Sequence, residues 1–114
     1  GRVRWWSIWA MIQIGKASIP SLIFALKHKN GYVREGVVFA LGEIKDKSAL
    51  PALTSALKDP DWRVRTAVCE ALKKIGDRGA VEPLKQALND QSGDVRRAAE
   101  SALASLTDLQ YAPG

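Results

Sequence analysis

The feature that most constrains this chain is a register that recurs every 31 residues. Val33-Arg34, Val64-Arg65 and Val95-Arg96 are each 31 apart, and Val3-Arg4 lies 30 before the first of them. Ala40, Ala71 and Ala102 align, as do Leu41, Leu72 and Leu103, with Ala10 and Met11 in the first copy. A second segment follows each of the first three, aligning Leu22, Leu53 and Leu84, then Ala25, Ala56 and Ala87, then Leu26, Leu57 and Leu88. A fixed period of this length marks stacked supersecondary units. The one-residue shortfall of the first copy falls between Ile14 and Ile19, in a turn, where a deletion is best tolerated.

Each segment reads as a helix. Val64, Ala67, Val68, Ala71, Leu72 and Ile75 follow the three-four spacing of an apolar helical stripe, and Val81, Leu84, Ala87 and Leu88 do the same. A small alanine at a fixed register lets two helices approach closely. Gly76-Asp77-Arg78-Gly79, Lys45-Asp46-Lys47-Ser48, Asp59-Pro60-Asp61 and Asp90 to Asp94 carry turn and cap residues. First helices are expected at 3–14, 33–44, 64–75 and 95–106, and second helices at 18–29, 48–58 and 80–89. One hairpin cannot bury its own stripe, so the hairpins must stack. The expectation is an all-α chain, a right-handed α-α superhelix (solenoid). It comprises about three and a half helical hairpins over residues 1–106 (repeats 3–32, 33–63 and 64–94, a half-repeat 95–106), with a C-terminal tail at 107–114.

Composition sets the outer bounds. With 114 residues, 46% hydrophobic and 25% charged, the chain is long enough for one domain and too apolar for disorder. No uninterrupted run of about 18 apolar residues exists, so no membrane span is expected. Trp5 to Ile14 contains Ser7 and Gln13 and lacks a small-residue cleavage site, and is not read as a signal peptide. Cys69 has no second cysteine to pair with, which fits a reducing, cytoplasmic setting. Residues 1–57 hold eight basic against three acidic groups, whereas 58–114 hold nine of each. That asymmetry reads as a solvated face, or as a surface that steers an acidic partner or nucleic acid.

In the third copy Val64-Arg65-Thr66-Ala67, Ala71-Leu72 and Ile75-Gly76-Asp77 lead into Ala80-Val81-Glu82-Pro83-Leu84 and Ala87-Leu88. This pattern resembles the HEAT-like repeats named after phycobilisome lyases, and the resemblance covers all but the last eight residues. It implies the helical-hairpin stack. For function it implies a group that contains scaffolds as well as chromophore lyases. It also implies an inner wall built from the second helices. On that wall Phe24, Ser55 and Gln86 occupy matching positions and, with Lys27, Lys58 and Lys85, are candidate contacts for a peptide or protein.

Arg34, Arg65 and Arg96, with Arg4, form one column in the first turn of the first helices, close to Asp59, Asp61, Asp90 and Asp94. A guanidinium there can fork onto a carboxylate and backbone carbonyls, so the column reads as a structural ladder. Asp46 and Asp77 read as turn caps. Trp5, Trp6 and Trp9 depart from the pattern. The Trp5 column holds Glu35, Thr66 and Arg97 and the Trp9 column Phe39, Glu70 and Ser101, so both columns should face outward. Trp5, Ile8, Trp9, Ile12 and Phe39 together form an expected apolar end. It serves self-association, a separate partner, or preceding repeats of a longer protein of which this chain is a fragment.

His28 is the only histidine, and no metal-ligand spacing accompanies it. Cys69 reads as a packing residue. No Gly-rich phosphate loop and no nucleophile motif occur. Deoxyhypusine hydroxylase, a HEAT-like relative, uses repeated His-Glu pairs for iron, and this chain has none. The expected function is a non-catalytic protein–protein interaction scaffold, without cofactor or metal, forming a module of a longer protein. Two alternatives stay open: a phycobilin-lyase-like chromophore-attachment subunit, and nucleic-acid binding through the basic N-terminal half.

Overall fold

The computed structural model describes residues 5–111. Seven α-helices follow in order: α1 (Trp5–Ile14), α2 (Ile19–Ala25), α3 (Gly31–Ile44), α4 (Leu50–Ser55), α5 (Trp62–Ile75), α6 (Val81–Ala87) and α7 (Gly93–Tyr111). Short 3-10 turns at Gly15–Ser18, Lys47–Ala49 and Arg78–Ala80 lead into α2, α4 and α6. The architecture is an all-helical solenoid in which α1, α3, α5 and α7 pack side by side and α2, α4 and α6 pack against them.

Local chemistry sets the boundaries. The side chain of Asn30 accepts the Tyr32 N–H at 2.8 Å, and that of Asp61 accepts the Arg63 N–H at 2.9 Å. These caps satisfy backbone donors that a helix start leaves bare. They start α3 and α5 two residues before the Val-Arg pairs at which the repeat register placed them. Pro20 and Pro51 sit in the first turn of α2 and α4, where a missing N–H breaks no helical bond. At the C-terminal ends of α1, α3 and α5 the chain turns through a left-handed residue: Gly15, Lys45 and Gly76. Lys45 (φ 62°) is the non-glycine among them and carries the side-chain strain of that conformation.

The core is one continuous cluster running through every repeat. Leu22, Leu41, Leu53, Leu72 and Leu84 are its largest fully buried members. Gly42 marks the tightest point: a Cβ there would lie 2.9 Å from Ala71 Cα, so α3 and α5 meet nearly backbone to backbone. Cys69 is fully buried in the same cluster, and burial pushes its thiol up to about 12. Ser18, which stands where later repeats have the buried Ala49 and Ala80, shares its one hydroxyl proton between the Met11 and Gly15 carbonyls, each at 2.8 Å. Those bonds tie down the turn that is one residue short.

Two further sequence expectations need correction. Ile8 is only 4% exposed and Ile12 is half-buried, because α3 covers this face of α1; both belong to the core and not to an exposed patch. The last helix does not stop at 106, since α7 continues through Tyr111 and takes up five of the eight residues of the expected tail. Apart from these corrections, the segment Trp5–Ala25 is, at 21 residues, long and apolar enough by composition to cross a bilayer. Here, however, the left-handed Gly15 and a 3-10 turn split it into helices of 10 and 7 residues. Each is shorter than the roughly 20 residues a span requires.

Candidate protein-interaction surface

The arginine column forms a repeating clamp between adjacent hairpins. Arg34 forks onto Asp59 at 2.8 and 3.0 Å, and its Nη1 donates to the His28 carbonyl at 2.7 Å. Arg65 repeats this one register later, onto Asp90 at 2.9 and 3.1 Å and onto the Asp59 carbonyl at 2.6 Å. Arg96 keeps the carbonyl bonds, to Asp90 and Gln91. Each aspartate also holds the loop: Asp59 accepts the Asp61 N–H and Asp90 the Ser92 N–H, both at 2.9 Å. Burial alone would raise the Asp90 carboxyl, but the Arg65 fork and the Ser92 N–H outweigh it and hold Asp90 below the usual range. The Asp59 carboxylate in turn raises the Arg34 guanidinium. Arg4 lies outside the described residues.

His28 occupies the Asp59 and Asp90 position of the first repeat. Its Nδ1 accepts the Asn30 N–H at 3.1 Å, the same bond that the aspartates make two residues ahead. The only histidine of the chain is thus a loop residue. Among the described residues no group of three His, Cys, Asp or Glu side chains converges on a point, so an iron centre built from His-Glu pairs does not fit here. Asp46 and Asp77 cap the 3-10 turns by accepting the Ser48 and Gly79 N–H groups, at 2.8 and 2.7 Å. Each also faces a lysine from the preceding turn, Lys16 at 3.8 Å and Lys47 at 3.7 Å.

On the second helices Phe24, Ser55 and Gln86 are all exposed, as are Lys27, Lys58 and Lys85. The structure does not gather them into one site. Lys58 and Gln86 share a hollow of about 160 Å3 between α4 and α6. Lys27 lies over the Phe24 ring at 5.9 Å, and Lys85 pairs with Glu82 at 3.3 Å.

The larger hollow, of about 510 Å3, lies on the other side, between α1, α3 and α5. Trp5, Tyr32 and Phe39 contribute aromatic walls, and Glu35 and Glu70 contribute carboxylates. Trp5 meets Phe39 edge to face with ring centroids 5.8 Å apart. Trp5, Trp6 and Trp9 are 63%, 67% and 62% exposed, so α1 presents three indoles to its surroundings. Exposed aromatic groups of that kind make this end the candidate contact surface. The sequence reading singled out Trp5, Trp6, Trp9 and Phe39, and Ile8, which lines the hollow from the core side, but missed Tyr32, Glu35 and Glu70. The clue for the two acids was their membership of the Trp5 and Trp9 columns, where they had counted only as signs of solvent exposure.

Comparison with known proteins places these features. The model of the HEAT repeats family matches residues 19–104, and that of the PBS lyase HEAT-like repeat matches residues 3–28. No curated protein matches the sequence. Among solved structures, human deoxyhypusine hydroxylase in complex with glycerol superposes with a TM-score of 0.86 at 27% identity, over 94% of this chain and 38% of the hydroxylase. The complex of CpcE and CpcF of phycocyanin lyase from Nostoc superposes with a TM-score of 0.56 at 21% identity, over 90% of this chain and 59% of that one, a likeness of fold alone. The chain spans about two fifths of the hydroxylase chain that it matches.

Proposed function

The chain belongs to the HEAT repeat family, and from that premise we propose that it is a non-catalytic protein-binding module whose contact surface is the aromatic end of α1 and α3. The observation that carries this reading is the exposure of Trp5, Trp6, Trp9 and Phe39 beside a 510 Å3 hollow. Stacked repeats suit such work because the core and the clamps fix the helices while outer columns vary freely. Large, rigid aromatic side chains bring contact area with little loss of freedom on binding.

The test is affinity capture from host lysate, with wild type and a Trp5→Ser/Trp9→Ser variant side by side. A protein retained by wild type and lost from the variant supports the reading, and equal retention by both contradicts it. Sedimentation of the two forms identifies the case in which the partner is a second copy.

A second reading, a phycobilin-lyase-like subunit, draws on the PBS lyase HEAT-like match at residues 3–28. Titration with a free bilin tests it: an induced absorbance change supports it, and an unchanged spectrum rejects it. Nucleic-acid binding through the basic N-terminal half has the weakest support, because the hollow at that end carries two carboxylates. Retention of duplex DNA at low salt, lost steeply as salt rises, would revive it.

A further inference from the structure

The hollow between α1, α3 and α5 has a charge pattern that its surroundings do not share. The chain carries 17 basic and 12 acidic residues. Eight acidic side chains are engaged in ion pairs. Among the described side chains Glu35, Glu70 and Glu100 stand outside every such pair, and two of these three line the one hollow. Glu70 also borders a neighbouring hollow with Lys73 and Lys74, but among the described residues neither it nor Glu35 is paired with a cation, and two unpaired carboxylates beside exposed rings are a selective feature in a chain with excess cations.

The protein shows twice what such a setting holds. The Arg63 guanidinium lies 4.1 Å from the Tyr32 ring centroid and pairs with Asp61 at 2.9 Å. The Lys74 ammonium lies 4.6 Å from the Phe39 centroid and pairs with Glu43. Each is a cation seated on a ring and held by a carboxylate. Trp5, Glu35 and Glu70 supply the ring and the carboxylates of a third such group, with no cation from the described residues. Indole is the strongest of the aromatic faces for a cation.

We propose that this hollow is a binding site for an arginine side chain presented by a partner protein. The assignment rests on the protein-binding reading above and supplies the chemistry of the partner. Arginine suits the site better than lysine, because its flat guanidinium stacks on an indole while its fork engages a carboxylate. The apolar lining from Ile8, Gly36 and Ala67 suits the methylene stem. The positive excess of the chain lies in residues 1–57, so at this end the two glutamates also set where a cationic group lands.

The test is an NMR titration of the full chain with Nα-acetyl-L-arginine amide, and with the uncharged isostere Nα-acetyl-L-citrulline amide. The Gly36 and Ala67 amides and the Trp5 indole N–H report on the hollow. The expected result is a saturable shift with the arginine probe and at least about tenfold weaker binding of citrulline. A similar loss is expected in Glu35→Gln/Glu70→Gln with unchanged circular dichroism; Glu70→Gln alone, at an exposed position, serves if the double variant unfolds. Equal affinity for the two probes, no saturable shift, or glutamine variants that bind as wild type would overturn the assignment. If that happens while lysate capture still depends on Trp5 and Trp9, only the arginine chemistry falls. If the capture dependence fails, the reading beneath it falls as well.

Discussion

In the third repeat α5 turns Val68, Cys69, Ala71 and Leu72 into the core and leaves Glu70, Lys73 and Lys74 at the surface. In the first repeat α1 buries Ile8 through the same column as Cys69, yet its outer positions are Trp5, Trp6 and Trp9. The two helices share a core register and differ on the face that the core does not use. The inner columns and the Arg-Asp clamps decide how hairpins stack, and that leaves the outer columns free to carry a contact surface. The third repeat serves as frame, and the first is frame on one side and surface on the other.

The sharpest way to break this contrast is the reactivity of Cys69. With its thiol pushed up to about 12, the native protein holds about a thousandfold less thiolate than a free thiol at the same pH. Thiol titration at pH 8 should therefore show no reaction on a timescale of minutes in native buffer and one full equivalent in denaturant. Fast native labelling would mean that the third repeat is open. The same shift has a pH consequence. The folded state favours the protonated thiol, so this contribution to stability is complete below pH 9 and is lost as pH rises toward about 12. Cys69→Ala should flatten that part of the stability curve.

Core substitutions come next in size. Leu72→Ala removes a fully buried side chain and should lower the unfolding free energy by about 2–5 kcal/mol in denaturant titration. Met11→Ala, at the half-buried equivalent in the first repeat, should cost clearly less. Equal losses would mean that α1 is packed as tightly as α5. Breaking a clamp should cost about 2–3 kcal/mol: Arg65→Ala strands the Asp90 carboxylate and the Asp59 carbonyl. His28→Ala, at the clamp position of the first repeat, removes one exposed hydrogen bond and should cost about 1 kcal/mol or less. The smallest effect has the opposite sign. Lys45→Gly relieves the left-handed lysine, which stands where the neighbouring repeats have Gly15 and Gly76, and should stabilise by about 1 kcal/mol.

What was legible in the sequence follows from the same division. The 31-residue spacing of Val-Arg, Ala and Leu positions is written by the inner columns, so the stack of hairpins could be read from it directly. The proximity of Arg34 to Asp59 and of Arg65 to Asp90 was legible too, because each partner recurs at a fixed offset. Helix starts were misplaced by two residues because the register was anchored on Val-Arg pairs instead of the Asn30 and Asp61 caps. Ile8 was misjudged because its neighbours Trp5 and Trp9 are exposed, although Val38 and Cys69 in its own column are buried. The hollow could not be read from spacing. Trp5, Glu35 and Glu70 come from three repeats, and only the lateral offset of α1, α3 and α5 brings them together.

The measurement that most directly tests whether the first repeat divides into frame and surface is the unfolding free energy of Trp5→Ser/Trp9→Ser. If the indoles are surface, the double variant should unfold within about 1 kcal/mol of wild type, as substitutions at exposed positions do. A loss of several kcal/mol would show that the rings pack the core, and the contact surface assigned to α1 would not exist.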